Sequence, residues 1–297
     1  MTRVYRTRTI KRERRTRERI EQLDSQIMEV LTADHPQSVR HVFYRMTDPR
    51  LPEPVEKDDR TGYRQVQHRC LELRRNGVLP YGWISDATRR GYFTPTYRSA
   101  SDFLRSVAGQ YRADLWQHSD AYVEVWVESR SIAGIVQHDC QRLAVSLYPA
   151  GGFSSLTLPY EAAEYINDEA DDRTVHIFYI GDYDQAGVLI DKSIERELRQ
   201  HLDPSIDMRF HRLAITEQQI KQFDLPTKPR KAGDRRSLHV KATVEAEAMP
   251  AHILRGILRA EIEALLPSDA LRVAKVAEES EREHLDRVAA LLTAEPS

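Results

Sequence analysis

Residues 175–187 decide the fold, and they read Val-His-Ile-Phe-Tyr-Ile-Gly-Asp-Tyr-Asp-Gln-Ala-Gly. The first six are mostly apolar and rich in β-branched and aromatic side chains, so they predict a buried strand that ends at Ile180. A helical pattern begins at about Gly187 and continues to Leu202. A strand that passes directly into a helix is typical of βαβ units and of a parallel sheet.

The sequence on either side of this stretch repeats the alternation of strand and helix. Apolar runs at 121–127 and 143–147 predict two further strands, and a helix is expected around 160–169. A helical tail occupies about 250–293, with Leu, Ile, Val and Ala set among Glu and Arg. We therefore expect an α/β domain with a mainly parallel sheet and C-terminal helices over residues 117–297.

The N-terminal part of the chain predicts helices instead. Apolar residues recur at helical spacing over about 10–32, and Ser38 is the predicted N-cap of a short second helix. A third helix is expected over 63–75. Three helices with short connections form a helix-turn-helix layout. Residues 77–120 read as a wing or connector that contains one more helix, so residues 1–116 predict a winged-helix domain.

Composition excludes several classes of protein. The sequence has no run of about eighteen apolar residues, which a membrane-spanning helix would need. Its N-terminus is rich in Arg and lacks the apolar core of a secretory signal, so we expect a cytoplasmic protein. Cys70 and Cys140 lie far apart without the spacing of a zinc site, which fits a reducing compartment and predicts two buried thiols.

The charge of the chain is uneven, although its net value is only −2. Residues 1–100 hold 21 Lys and Arg against 13 Asp and Glu, which leaves the rest of the chain acidic. The first twenty residues alone carry nine Lys or Arg and two Glu. Such a basic segment suits contact with a phosphate backbone, but a solvated, disordered terminus has the same composition.

Three acidic residues are expected to meet at one edge of the predicted sheet. Asp182 and Asp184 leave the strand at positions i and i+2, so both carboxylates can point the same way. Glu128 ends the first predicted strand. Because the carboxyl ends of parallel strands lie together, these residues predict a site for Mg²⁺, which prefers oxygen ligands. An Asp-x-Asp pair alone is also common in ordinary turns.

The order of these features resembles the Toprim domain of topoisomerases, bacterial primases and OLD-type nucleases. The shared pattern is a strand ending in Glu, then Gly151-Gly152-Phe153 after a second strand, then a strand followed by Asp-x-Asp-x-x-Gly. The resemblance implies that Glu128 takes part in acid/base chemistry or metal contact. It also implies that Asp182 and Asp184 hold Mg²⁺, as one or two ions that Mn²⁺ can replace. The chain departs from many members directly after the Glu, where it has Ser129.

A motif in the second predicted helix implies the nucleophile. Residues 38–45 read Ser-Val-Arg-His-Val-Phe-Tyr-Arg. They resemble the S/T-x-R-x-x-aromatic-Tyr motif of the topoisomerase VI A subunit and of the related meiotic double-strand-break transesterase, whose last tyrosine attacks DNA. The resemblance extends over nearly the whole chain, to a compact, stand-alone bacterial or mobile-element version of that family. It implies that Tyr44 is the nucleophile, although a tyrosine beside Phe43 can equally be a packing residue.

The residue types around Tyr44 suit this chemistry. A phenol has a pKa of about 10, so its attack on a phosphodiester needs a nearby cation that stabilises the phenolate. Arg40 lies four residues before Tyr44 and therefore on the same face of the predicted helix. Arg40 is thus the candidate for contact with both the phenolic oxygen and the scissile phosphate.

The implied activity is Mg²⁺-dependent DNA cleavage by tyrosyl transesterification, with a 5′-phosphotyrosyl link, in a nucleoid-associated homodimer that cuts both strands. The sequence contains no G-x-x-x-x-G-K-[ST] motif and no GHKL-type ATPase segment, so strand passage would need a separate GHKL-type ATPase subunit. Two other functions stay open, a Toprim nuclease whose nucleophile is water and a non-catalytic DNA-binding module. We expect DNA contacts at arginines of both predicted domains, namely Arg12, Arg14, Arg15, Arg45, Arg69, Arg74, Arg75 and Arg130.

Overall fold

The computed structural model describes residues 15–85, 94–151, 157–229 and 242–294. The chain divides into two compact units, Met1–Ile84 and Ser85–Ser297. This division lies before the boundary that we expected near residue 116, because the helix Ala100–Ala108 packs against the C-terminal helix of the second unit.

The described part of the first unit contains three α-helices, α1 (Arg17–Ala33), α2 (Val39–Met46) and α3 (Gly62–Arg75). Helices α2 and α3 lie at their predicted positions, whereas α1 begins at Arg17 rather than near residue 10, because Thr16 is its N-cap. Helix α2 begins where the sequence predicts, because Ser38 Oγ accepts a hydrogen bond from the backbone N–H of His41 at 3.2 Å. Helix α3 ends before Gly77, whose φ of +71° suits glycine. The apolar faces of the three helices form the core of this unit, which contains Leu23, Ile27, Leu31, Val42, Phe43, Met46, Val66, Cys70 and Leu73.

The chain after α3 forms one turn of 3-10 helix at Tyr81–Trp83 and a single bridge between Gln37 and Ile84. The predicted wing or connector includes residues 86–93, which lie outside the described residues. The additional helix expected after it is α4 (Ala100–Ala108), and it belongs to the second unit.

The second unit alternates strands and helices, as the sequence predicts. Strands β2 (Ser146–Pro149), β1 (Ala121–Val127), β3 (Thr174–Ile180) and β4 (Met208–Ala214) form one sheet in that order, and all neighbouring strands are parallel. The α/β class and the parallel sheet are therefore confirmed. After α4 the elements are β1 (Ala121–Val127), α5 (Arg130–Arg142), β2 (Ser146–Pro149), α6 (Thr157–Glu169), β3 (Thr174–Ile180), α7 (Gly187–His201), β4 (Met208–Ala214), α8 (Glu217–Gln222), β5 (Lys228–Pro229), β6 (Ala242–Thr243), α9 (Ala251–Glu263) and α10 (Ala270–Ala294).

The hydrophobic core of this unit lies between one face of the sheet and helices α6 and α7. Alternate residues of β1 and β3 point into it, as the two-residue period of a strand requires, and they include Trp126, Val175, Ile177 and Tyr179. The two helices contribute Ala162, Ala163, Ile166, Ile190, Ile194 and Leu198. Helices α5 and α9 contact the sheet as well, at β1, β2 and β4. The central strands are thus buried, which is usual for a parallel sheet.

Three details of the second unit differ from the prediction. Strand β2 begins at Ser146 rather than Leu143, because Leu143 belongs to the end of α5 and Ala144 turns the chain with a φ of +51°. Strand β4 is not predicted, since its Arg and His residues interrupt any continuous apolar run. The helical tail is two helices, because Pro267 lies in the break between α9 and α10.

Two expectations about the class of protein can be compared with the structure. Cys70 and Cys140 are both free and buried, as predicted. Burial raises the pKa of each thiol to about 12. Among the described residues, no helix is long and apolar enough to cross a membrane.

Candidate functional site

The carboxyl ends of β1 and β3 lie side by side in the middle of the sheet. Val127 pairs with Ile180, and the backbone N–H of Glu128 donates to the carbonyl of Ile180 at 2.9 Å. The chain leaves β1 for β2 on one side, while β3 lies on the other side of β1. Such a reversal of strand order opens a crevice beyond the strand ends, where sites of α/β proteins form. Glu128 and Asp182, which the sequence places at these strand ends, both lie there.

Glu128 is tied to the loop that follows β3. Its Oε2 accepts a hydrogen bond from the backbone N–H of Asp182 at 2.8 Å and another from the Tyr179 hydroxyl at 3.4 Å. Gly181 lies directly beside this carboxylate, and a Cβ there would come within 2.7 Å of Glu128 Oε2. It would come closer still to the Tyr179 hydroxyl, so any other residue at this position would have to displace both side chains.

A second acidic segment, residues 244–248, lies against the same loop. Tyr183 and Val244 exchange both of their backbone hydrogen bonds, at 2.8 and 2.9 Å. The backbone N–H of Ala246 donates to Asp182 Oδ1 at 2.8 Å. These bonds fix both the backbone of the loop and the carboxylate of Asp182.

This segment brings two acids to the site that the sequence analysis did not assign to it. Glu247 is 8% exposed, its Oε1 accepts a hydrogen bond from the Ser129 hydroxyl at 3.5 Å, and its charge raises the pKa of Asp182. Glu245 also raises that pKa, but its Oε1 forms an ion pair with Lys228 at 2.6 Å. We call Glu128, Asp182 and Glu247 the carboxylate cluster.

Burial and mutual repulsion raise the pKa values within the carboxylate cluster. The pKa of Asp182 lies well above its ordinary value, first because of burial and then because of the charges of Glu128 and Glu247. The pKa of Glu128 is raised mainly by burial, with a further contribution from the charge of Asp184. Like charges held together away from water are unfavourable unless a cation is shared between them.

Asp184, the third acid predicted for the site, caps a helix. Its Oδ1 accepts hydrogen bonds from the backbone N–H groups of Ala186 and Gly187, at 2.8 and 2.6 Å. These groups begin α7, so the carboxylate stabilises the N-terminus of that helix. One oxygen of Asp184 is thus engaged in the fold, while its charge still contributes to the raised pKa of Glu128.

Arg212 of β4 holds the loop from its other side. Its guanidinium donates hydrogen bonds to four backbone carbonyls, those of Gly181, Asp182, Gly187 and Ile215. The Nη1 group also forms an ion pair with Asp191 at 2.6 Å. The positive charge of Arg212 lowers the pKa of Glu128, but less than burial raises it. Arg212 therefore fixes the backbone of the site without neutralising the carboxylate cluster.

The donors of the site can be compared with the needs of a metal ion. Within the ranges that the structure describes, no three His, Cys, Asp or Glu side chains already stand in a metal-holding arrangement. The donor type fits Mg²⁺, because carboxylate oxygens are the ligands that this hard cation prefers. The charge fits as well, since a divalent cation would relieve the repulsion that raises the pKa of Asp182.

Tyr44 lies in the first unit and is packed rather than exposed. It is 3% exposed, and its ring centre lies 5.2 Å from that of Phe43. The guanidinium carbon of Arg40 lies 5.9 Å from the centre of the Tyr44 ring, and the Nζ of Lys57 lies at 5.8 Å. Arg40 also forms an ion pair with Asp59 at 2.8 Å. Arg40 and Tyr44 are therefore neighbours on α2, and the Lys57 ammonium is a second positive charge near the Tyr44 ring.

Three arginines expected to contact DNA have surroundings within the first unit that the sequence did not indicate. Arg69 forms an ion pair with Asp24 at 2.6 Å. Arg74 donates to the carbonyl of Tyr81 at 3.0 Å and lies over its ring. Arg45 is half-buried, and its partial burial lowers its pKa. Each of the three guanidinium groups is therefore partly enclosed by the first unit and does not simply point into solvent.

The other predicted contacts have different environments. Arg15 forms an ion pair with Glu53, and only 17% of its side chain is exposed. Arg75 and Arg130 are exposed. Four further residues of the sequence interpretation lie outside the described residues, and these are Arg12, Arg14, Gly152 and Phe153.

Comparison of the chain with protein-family models, with curated proteins and with solved structures finds no match. The functional interpretation therefore depends on the chemistry of the described residues. Its two strongest features are the carboxylate cluster of the second unit and the tyrosine flanked by cations in the first.

Proposed function

We propose that the chain cleaves double-stranded DNA by a metal-dependent transesterification, with Tyr44 as the nucleophile and the carboxylate cluster as the metal site. The observation that carries the proposal is the meeting of Glu128, Asp182 and Glu247 at the ends of adjacent parallel strands. Enclosed carboxylates that raise one another's pKa are typical of functional sites. The resemblances of the sequence to the Toprim and topoisomerase VI A families support DNA as the substrate.

Mg²⁺ is the proposed cation, and Mn²⁺ is its expected substitute. Glu128, Asp182 and Glu247 would hold it, and Asp184 would add negative charge nearby. When bound, a divalent cation supplies Lewis acidity at the scissile phosphate. Arg212 keeps the loop that carries Asp182 in place through its bonds to the loop carbonyls. The protein thus presents its carboxylates on a backbone that is fixed from two sides.

The covalent step exchanges one phosphodiester for another. The phenolic oxygen of Tyr44 forms a bond to phosphorus while the bond from phosphorus to the 3′ oxygen breaks. The phenol proton passes to water, and the 3′ oxygen takes up a proton and becomes a hydroxyl. Arg40 and Lys57 flank the ring and would stabilise the phenolate.

Two strands would be cut by two copies of the chain. In the proposed homodimer each Tyr44 acts at the carboxylate cluster of the partner subunit, since two-fold symmetry matches two antiparallel strands. The product is a 5′-phosphotyrosyl link that the 3′ hydroxyl can reverse. Strand passage would require a separate GHKL-type ATPase subunit, whereas cleavage alone would not.

Hydrolysis by water is the second candidate function. The observation that favours it is the burial of Tyr44, which is 3% exposed and packs against Phe43. In this mechanism Tyr44 stabilises the core of the first unit, and the carboxylate cluster serves a water nucleophile instead. The products would be nicked or linear DNA with free 5′ phosphate ends.

A plasmid assay separates the two candidates. Purified protein is incubated with supercoiled plasmid and Mg²⁺ or Mn²⁺, denatured, and analysed on gels with and without protease treatment. Transesterification should give cleaved DNA that migrates normally only after proteolysis. Hydrolysis should give cleaved DNA whose migration does not depend on protease.

Variants with matched controls identify the residues. Tyr44→Phe should abolish the covalent adduct, whereas Tyr63→Phe, at a tyrosine that also lies beside Arg40, should retain it. Asp182→Asn should stop cleavage by either nucleophile, and the exposed Asp207→Asn of the same unit should not. Cleavage without adduct in Tyr44→Phe would replace the first candidate by the second. Cleavage at the wild-type rate by Asp182→Asn would contradict both.

A further inference from the structure

Helix α3 presents one exposed face, which we call the α3 stripe. The opposite face is buried through Val66, Cys70 and Leu73. The members within the helix recur at intervals of three or four residues, so they stand in one line along it for about 17 Å. The stripe comprises Arg60, in the turn before the N-cap Thr61, followed by Arg64, His68, Leu71 and Arg75 of the helix, and all five are exposed.

The α3 stripe is basic along its whole length. It combines three guanidinium groups and an imidazole with one apolar side chain, Leu71, which is 43% exposed. Arg60, Arg64 and His68 line a surface cleft of about 270 Å³. Glu72 lies beside the stripe, where its carboxylate is 3.6 Å from Arg75. The cations of the stripe therefore face outward together rather than into the fold.

The other two arginines of α3, Arg69 and Arg74, make contacts within the first unit. Arg69 joins α3 to α1 through its ion pair with Asp24, and Arg74 packs on Tyr81. These two contacts fix the position of the helix within the first unit. The arginines of the α3 stripe form a second set, and their positive charge and exposure suit contact with a polyanion.

We propose that the α3 stripe is a duplex DNA-binding face that lies in the major groove. Arg60 and Arg75, at the two ends, contact phosphates, while Arg64, His68 and Leu71 face the edges of the bases. The proposal rests on the proposed function in taking duplex DNA as the substrate, and it adds how that substrate is held and read.

Dimensions and chemistry favour this occupant. An α-helix with its side chains is about 10–12 Å across, which the major groove of B-form DNA admits at about 12 Å. The major groove of double-stranded RNA is too deep and narrow for this contact. Arginine is the commonest partner of guanine in this groove, and an exposed apolar side chain such as Leu71 can contact the methyl group of thymine.

DNA affinity without cleavage tests the binding face. Fluorescence anisotropy with a labelled duplex of random sequence is measured in EDTA, over a series of salt concentrations, for the full chain. We expect Arg64→Ala to weaken binding about tenfold. Arg60→Ala should lower the steepness of the salt dependence by about one phosphate contact. Arg196→Ala removes an exposed arginine of α7 in the second unit and should bind like the wild type.

Selection from a pool of random duplexes tests the placement in the groove. The wild type should enrich a short sequence, and Leu71→Ala or His68→Ala should lose the preference at one position of it while the variants keep the thermal unfolding of the wild type. Stripe variants that bind as tightly as the wild type would overturn the proposal, and so would a wild type without duplex affinity. Unchanged sequence preference in Leu71→Ala and His68→Ala would also overturn it, because phosphate contacts alone do not require the major groove.

These outcomes are distinct from a failure of the proposed function. A wild type that binds DNA through the stripe in EDTA but leaves plasmid intact with Mg²⁺ would support the stripe and contradict the cleavage. A protein that cleaves plasmid while its stripe variants bind DNA normally would support the cleavage and contradict the role of the stripe.

Discussion

Strand β1 carries two carboxyl groups that are withdrawn from solvent, Glu124 in its middle and Glu128 at its end. Glu124 is fully buried, and its oxygens accept hydrogen bonds from the indole N–H of Trp126 at 2.8 Å and the hydroxyl of Tyr122 at 3.2 Å. The Tyr148 hydroxyl also bonds to it. The surroundings of Glu128 differ, because they include the further acids Asp182 and Asp184.

The comparison separates a structural carboxylate from one that we propose to bind a metal. Burial is the largest cause of a raised pKa at both positions, so burial alone does not distinguish them. Around Glu124 the neighbours are neutral donors that satisfy its oxygens. Glu128 also accepts two hydrogen bonds and lies near the positive charge of Arg212, but unlike Glu124 it faces the negative charges of Asp182 and Asp184. The identity of the neighbours, and not the depth of the group, therefore indicates where the site lies.

Removal of the Glu124 carboxyl should have the largest effect on stability. Glu124→Ala leaves the indole and hydroxyl donors without their acceptor and opens a cavity in the core. We expect the free energy of unfolding to fall by about 4 kcal/mol, as measured by urea denaturation. Glu161→Ala, at an exposed position of α6, is the control and should change it by less than about 0.5 kcal/mol. If Glu124→Ala lowered the free energy of unfolding no more than this control, the hydrogen bonds to Glu124 would not stabilise the fold. Glu124 would then not be a structural carboxylate.

The dependence of stability on pH should be the next largest effect. Burial raises the pKa of Glu124 to about 7 from an ordinary value of 4.5. Because the folded state has the higher pKa, the contribution is complete below about pH 4.5 and is lost as the pH rises through about 7, on the order of 3 kcal/mol in total. Glu124→Gln keeps the shape but cannot ionise, so its stability should fall less than that of the wild type between about pH 5 and pH 8. Parallel pH profiles for the two proteins would contradict the assignment.

The sheet could be predicted to the extent that its strands are buried on both faces. Strand β1 (Ala121–Val127) coincides with its predicted bounds, and β3 begins one residue early, since each is mostly apolar and is interrupted only by a single charged or imidazole side chain, Glu124 or His176. Strand β4 lies at the edge of the sheet, where Arg209 and Arg212 interrupt the apolar pattern. Its place in the fold depends on pairing with β3, which is a tertiary contact that periodicity does not report.

The candidate site follows the same division. Glu128 and Asp182 could be predicted because the sequence marks the ends of their strands. Glu247 and Arg212 could not, because each reaches the site from a segment whose path is set by contacts distant in sequence. On α3, the outward arginines could be separated from Arg69 only once its partner on α1 was known. The available signal for Glu247 was a pair of acids at i and i+2 after a β-branched residue, which is weak by itself.

Removal of a carboxylate from the carboxylate cluster should raise the stability of the metal-free protein, whereas removal of the Glu124 carboxyl lowers it. Asp182→Asn takes away a half-buried negative charge that faces other acids, so the metal-free protein should gain about 1–2 kcal/mol of stability. The gain should increase with pH, because the raised pKa of Asp182 means that the wild type loses stability as this group ionises. Thermal unfolding in EDTA measures it, with Asp207→Asn as the exposed control. Mg²⁺ should raise the midpoint of the wild type but not of Asp182→Asn. A variant less stable than the wild type in EDTA would show that the cluster is not under repulsion.

The smallest effect distinguishes the two acids of residues 244–248. Glu247 adds to the negative charge around Asp182, whereas Glu245 is ion-paired with Lys228 at 2.6 Å. In EDTA, Glu247→Gln should therefore raise the free energy of unfolding by about 0.5 kcal/mol, while Glu245→Gln should lower it by a similar amount. Urea denaturation of both variants in one buffer gives the comparison, and each serves as the control of the other because both lose one charge from the same segment. Opposite signs at positions two residues apart are not explained by the change in net charge. Equal signs would remove Glu247 from the carboxylate cluster and leave Glu128 with Asp182 alone.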